Sequence, residues 1–148
     1  MIGFGPHLVF DGAGCPIRRL TDLGPLYRVL DSLPDQIRMT KIMPPYVFRH
    51  GAAGTAEGLS GFVLIAESHI TIHTFPQQAC VNVDIFSCCE FDVEQALAQL
   101  RRAFAPRRAE WKLLDRGTEF PKRVGAVRSL VERDRRVVAR GLGLEVPR

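Results

Sequence analysis

The chain has 148 residues, 46% of them hydrophobic and 24% charged, with a formal net charge of +4. That length fits a single domain able to bury its own core without staples, and the composition excludes a disordered or fibrous chain. No apolar run approaches the roughly 20 residues needed to cross a bilayer, and the start, Met1-Ile2-Gly3-Phe4-Gly5-Pro6-His7, lacks the basic and apolar regions of a secretory signal.

The first predicted element is a short strand from His7 to Phe10, ended by the turn signal Asp11-Gly12-Ala13-Gly14. Asp22 then caps a helix whose apolar side carries Leu23, Leu26, Val29, Leu30 and Leu33 at helical spacing, with Pro34-Asp35 as its stop. Ile37 to Phe48 is expected to be extended, bent or held at an edge by Pro44-Pro45. A loop of small residues, Arg49 to Thr55, leads to an apolar strand, Leu59 to Ala66. Alternating strands follow at Ile70 to Phe75 and Val81 to Phe86, joined through Pro76-Gln77-Gln78. Asp92 opens a second helix, with Val93, Ala96, Leu97, Leu100 and Phe104 on one face, which Pro106 ends. Ala109 to Leu114 reads as the last strand.

The order is thus β-α-β-β-β-β-α-β. Short links between the central strands favour antiparallel pairing. The expected class is α+β: a two-layer sandwich of one largely antiparallel sheet with two helices on one face. The bare face then calls for a cover, and a second subunit is the simplest one. Residues 1–121 read as one domain and 122–148 as a basic, helical extension. That extension holds eight Lys/Arg against three acids, so the charge excess lies there. It lacks the aromatics that interleave with basic residues in nucleic-acid surfaces, which favours a solvated appendage over a nucleic-acid site. Cys15, Cys80, Cys88 and Cys89 include no C-x-x-C pair; they read as free thiols of a cytoplasmic protein rather than a disulfide framework or a structural zinc site.

Alternation puts Ile70 and Ile72 on one face of their strand and His69, Thr71, His73 and Phe75 on the other. In the next strand Val81, Val83 and Ile85 oppose Asn82, Asp84, Phe86 and Cys88. The apolar sets belong under the helices, so the polar sets share the open face, with His73 and Cys88 expected as neighbours. Taken singly, each group has a structural reading: a hydrogen-bonded histidine, a small buried thiol, a turn-forming serine. Together, Ser68, His73 and Cys88 on one surface read as chemistry. His69-x-x-x-His73 also has the look of a metal pair, but no third ligand accompanies it, and no metal is expected.

Leu59-Ser60-Gly61, Ile65-Ala66-Glu67-Ser68-His69, Ile72-His73-Thr74-Phe75-Pro76 and Asp84-Ile85-Phe86-Ser87-Cys88 form an ordered set. It resembles the core of the prokaryotic S-adenosylmethionine decarboxylases, small self-processing pyruvoyl enzymes of polyamine (spermidine) synthesis. Weaker likeness runs from Gly5-Pro6-His7-Leu8 to Arg116-Gly117-Thr118-Glu119-Phe120-Pro121. The resemblance implies that the Ser68 hydroxyl attacks the Glu67 carbonyl carbon and that the chain is cut between these residues. It implies that His73, assisted by Ser60, is the base for the elimination that leaves a pyruvoyl group at position 68. That covalent cofactor forms a Schiff base with the small-molecule substrate, carbon dioxide departs, and Cys88 returns the proton. A homodimer of cleaved protomers, with two chains contributing to each site, is implied as well.

One departure bears on substrate. Family members commonly read Trp-Pro-Glu where this chain has Phe75-Pro76-Gln77, and that glutamate is implied in holding the ribose. Phe75 and Gln77 are the candidate substrate-binding residues here, and an amide accepts from a diol more weakly than a carboxylate. Decarboxylation of another amino acid, such as ornithine or arginine, is therefore the alternative.

Overall fold

The structure, a computed structural model, describes residues 5–51, 57–117 and 133. Its elements are β1 (Gly5–Ala13), α1 (Ile17–Thr21), α2 (Leu23–Gln36), β2 (Thr40–Lys41), β3 (Tyr46–His50), β4 (Gly58–Ala66), β5 (Ser68–Phe75), a single 3-10 turn (Pro76–Gln78), β6 (Cys80–Ser87), α3 (Val93–Phe104) and β7 (Arg108–Arg116). The seven strands form one sheet in the order β2-β4-β5-β6-β1-β7, with β3 also pairing along β4. Every pairing is antiparallel. The expected α+β sandwich is therefore what the chain forms. Among the described residues no helix is long and apolar enough to cross a membrane.

The caps act locally as expected. Asp22 accepts from the Gly24 N–H and Asp92 from the Gln95 N–H, each filling a donor that a helix start leaves orphaned. Some details differ from expectation. Strand β1 continues through Asp11, Gly12 and Ala13 instead of turning there, because β6 and β7 pair along it on both sides. The short helix α1 precedes Asp22. The stretch from Ile37 to Phe48 is not one strand but two, β2 and β3, because Pro44-Pro45 cannot donate to a ladder and the chain turns there. Helix α2 runs through Pro34 to Gln36: proline removes one bond at its own nitrogen, but Ile37 still donates to the Leu33 and Pro34 carbonyls, and Met39 to Pro34. The chain leaves the helix at Arg38, which is left-handed at φ 62°. The basic extension 122–148, apart from Arg133, and residues 118–121 lie outside the described residues.

Helices α1, α2 and α3 pack on one face. Leu20, Leu26, Leu30, Leu33, Ala96, Leu97, Leu100 and Phe104 meet Leu8, Phe10, Leu59, Val63, Ile65, Ile70, Ile72, Val81, Val83 and Ile85 in one core. Removing each such side chain from water contributes about 1.5–3 kcal/mol. Gly61 lets α2 come close: a Cβ there would lie 2.7 Å from Leu30 Cδ1. The register then places alternate residues of every strand on the opposite, open face. That face carries the polar strand residues and also Tyr46, Phe48, Leu64, Phe75 and Leu114, all more than a third exposed.

Candidate active site

The turn between β4 and β5 is as short as a hairpin allows: Ile65 pairs with Ser68, so only Ala66 and Glu67 lie between. Ser68 has φ 145°, a region that side chains other than glycine enter at a cost of about 1–3 kcal/mol. Across the ladder it faces Ser87, the last residue of β6. The next residue, Cys88, donates its backbone N–H to the Glu67 carbonyl oxygen at 3.2 Å. A donor thus polarises the one carbonyl that the Ser68 hydroxyl would attack. Neighbouring bonds secure it: buried Ser87 accepts from the Cys89 N–H at 3.0 Å and donates to Met39 Sδ at 3.6 Å. Gly5 backs the same peptide, where a Cβ would come within 2.3 Å of the Ser87 carbonyl oxygen.

Around this end of the sheet the open face is crowded with titratable groups. His69 Nδ1 lies 3.3 Å from Ser68 Oγ. The His69 ring meets the Phe86 ring edge-on at 6.1 Å, and the Arg116 guanidinium covers Phe86 at 4.2 Å from its centroid. His7 Nε2 contacts Asp84 Oδ1 at 3.0 Å, and its ring also reaches Phe86. Burial holds the His69 pKa below its ordinary value; His7 and Arg116 push it the same way, and Asp84 opposes them. His7 and Arg116 arrive on β1 and β7, far from Ser68 in sequence. Alternation alone marks His7 as open-face, opposite Leu8 and Phe10, but nothing local brings it to Asp84.

The other predicted residues lie at the far end of the same strands. His73 pairs with Ser60, whose Oγ is 2.8 Å from His73 Nδ1, and with Asn82. Phe75 follows on the same face, and Gln77 is exposed in the 3-10 turn. Thr74, between them and fully buried, accepts from the Leu59 N–H at 2.7 Å and donates to the Leu20 carbonyl at 2.8 Å. Ser68 and His73 are five residue steps apart, roughly 17 Å of strand, and Asn82 and Cys88 six steps, roughly 20 Å. His73 and Cys88 are not neighbours within one chain, which corrects the expectation from alternation. The period of two assigns a face and says nothing of position along it. The same spacing sets His69 and His73 roughly 13 Å apart, too far to ligate one metal. The candidate residues of one chain therefore fall into two groups, two candidate half-sites: Glu67, Ser68, His69 and Cys88 at one end, Ser60, His73, Phe75 and Gln77 at the other.

Residues 6–117 match the model of the S-adenosylmethionine decarboxylase family. A curated S-adenosylmethionine decarboxylase proenzyme of Clostridium botulinum (strain Loch Maree / Type A3) is 35% identical over 114 residues, covering 76% of this chain and 94% of that protein. One of Archaeoglobus fulgidus is 31% identical over 114 residues, covering 76% and 97%. The crystal structure of the adenosylmethionine decarboxylase from Aquifex aeolicus VF5 shares the fold, with a TM-score of 0.66 at 24% identity, over 79% of this chain and 93% of that one.

Proposed function

The chain belongs to the S-adenosylmethionine decarboxylase family, and on that premise we propose that it cuts itself between Glu67 and Ser68 and then decarboxylates S-adenosylmethionine. The observation that carries this reading is the hydrogen bond from the Cys88 N–H to the Glu67 carbonyl, with the Ser68 hydroxyl next along the chain. Attack of Ser68 Oγ on the Glu67 carbonyl carbon puts negative charge on the oxygen that Cys88 already holds, and a fixed donor of this kind is worth about 10²–10³ in rate. The amide becomes an ester as the Ser68 nitrogen leaves. Loss of the Ser68 α-proton to a base then breaks the Cβ–O bond and frees the Glu67 carboxylate. Hydrolysis of the resulting enamine releases ammonia and leaves a pyruvoyl group at position 68.

A hydroxyl residue at a tight hairpin, preceded by a polarised carbonyl, fits the formation of that group. Once formed, the pyruvoyl carbonyl would supply an electron sink for the electron pair left on the substrate as carbon dioxide departs. Cys88, beside it at the end of β6, is the proton donor, since a thiol titrates close enough to neutrality for that task. The named activity of the relatives favours S-adenosylmethionine, and ornithine or arginine finds no support among them. The product, decarboxylated S-adenosylmethionine, serves polyamine synthesis. Four cysteines, none of them in a disulfide, suit a reducing compartment, the cytoplasm.

His73 is the base for the elimination, but it stands roughly 17 Å from the Ser68 of its own chain. A two-fold dimer resolves this. Pairing two open faces in opposite sense lays the Ser60–His73 end of one copy over the Ser68 end of the other, twice, and brings Phe75 and Gln77 to the substrate. The same contact covers Tyr46, Phe48, Leu64 and Phe75, a set of exposed apolar side chains unusual on a free sheet face.

Intact-mass measurement tests the processing: wild type is expected as two chains, residues 1–67 and 68–148, the second beginning with pyruvoyl, and Ser68→Ala as one. An uncut wild-type chain with its serine in place rejects it. Co-expression of Ser68→Ala and His73→Ala chains tests the sharing: cleavage of the His73→Ala chain by its partner's histidine is expected, and no cleavage in the mixture rejects the shared site.

A further inference from the structure

Attack by Ser68 needs an acceptor for its hydroxyl proton, and the base assigned to the elimination belongs to the opposite half-site. We propose that His69 accepts the Ser68 hydroxyl proton during attack on the Glu67 carbonyl and delivers it to the departing Ser68 nitrogen, which makes it a catalytic residue of the first step of self-cleavage. This deepens the self-cleavage reading and rests on it.

Geometry carries the assignment. His69 Nδ1 is 3.3 Å from Ser68 Oγ. With the ring proton on Nε2, Nδ1 is an acceptor aimed at the hydroxyl. The Glu67 oxygen is held on the Cys88 N–H, so nucleophile, acceptor and oxyanion donor all gather at one hairpin of one chain. The ring is fixed by its edge-on contact with Phe86, which Arg116 covers from its own side. In that step the Oγ–H bond breaks and its proton passes to Nδ1. Oγ bonds to the Glu67 carbonyl carbon, the carbon–nitrogen bond breaks, and the Nδ1 proton goes to the nitrogen as it leaves. The result is an isomer of the starting chain, an ester with a free amine, and no other reactant is needed.

The surroundings keep the imidazole neutral, as a base must be. Burial disfavours its charged form, and His7 from β1 and Arg116 from β7, which face it, act in the same direction. Asp84 from β6 opposes them but is engaged by His7 at 3.0 Å. From β4 the facing residue is Leu64, which is uncharged. Ionisation of His69 therefore falls below the ordinary histidine value of about 6.5.

The test separates the first step from the second. A His73→Ala chain lacks the elimination base and is expected to stop at the ester, which hydroxylamine cleaves to release residues 1–67 as a hydroxamate. In His69→Gln/His73→Ala, ester formation is expected to fall by about 10²–10⁴-fold, the range of one positioned acid–base group. Ester formation in the His73→Ala chain is expected to be constant from about pH 8 to about 6.5 and to decline tenfold per unit below the lowered His69 pKa. Release from the double variant at the His73→Ala rate overturns the proposal. So does a rate that stays flat down to about pH 4 in the His73→Ala chain, a measurement that needs no change at His69. Absence of any ester from His73→Ala, with wild type still cut, assigns both proton transfers to His73 and also overturns it. A wild-type chain that never cleaves removes the self-cleavage reading itself.

Discussion

Gly5→Ala tests whether the Cys88 N–H is the oxyanion donor without altering any chemical group. Gly5 has φ 131°, and a Cβ there would lie 2.3 Å from the Ser87 carbonyl oxygen, 3.1 Å from Cys88 Cα and 3.3 Å from the Cys88 carbonyl carbon. Relief requires a shift of roughly 1.1 Å or more to reach ordinary contact. The oxygen pushed belongs to the same planar unit as the Cys88 N–H, so the donor moves with it. Its bond to Glu67 is 3.2 Å long already, and a displacement of that size breaks it. Losing such a donor costs about 10²–10³ in rate, or about 2.7–4 kcal/mol in the barrier. The left-handed backbone adds about 1–3 kcal/mol of global destabilisation, which calls for comparison below the variant's melting temperature. Cleavage is followed by intact mass after a pulse of synthesis. A folded Gly5→Ala chain that matures at the wild-type rate would refute the assignment of Cys88 N–H.

Thr74→Val keeps the shape but strands the Leu59 N–H and the Leu20 carbonyl in the core. A loss of about 2–6 kcal/mol in urea unfolding is expected, from about 1–3 kcal/mol for each of the two unpaired groups; a loss under about 1 kcal/mol contradicts the network. Asp92→Ala removes the acceptor for the Gln95 N–H at 2.9 Å and should lower stability by about 1 kcal/mol, leaving the cleavage rate unchanged. Thiol titration of the native protein should find Cys89 fast and Cys15 slow, because Cys89 is exposed, whereas Cys15 is buried and its pKa is raised by that burial and by Cys80. Equal rates for the two count against the described packing.

Faces, caps and turns were legible because they are local. Ile70 and Ile72 against His73 and Phe75, or Leu97 and Leu100 after Asp92, need only the periods of strand and helix. Glu67 and Ser68 were legible as a pair too, since the proposed nucleophile and the carbonyl it would attack are consecutive residues; His69, next along the chain, was placed on the open face but given no role. His7 and Arg116 at this site were not legible, because β1 joins β6 and β7 through pairings that span most of the chain. Nor was the distance from His73 to Cys88. Alternation repeats every two residues and marks a side, whereas place along that side depends on register, and register is settled by how strands distant in sequence pair and pack over one core. The chain's own residues thus determine which groups meet solvent on the open face, and only the folded sheet decides that they separate into two candidate half-sites.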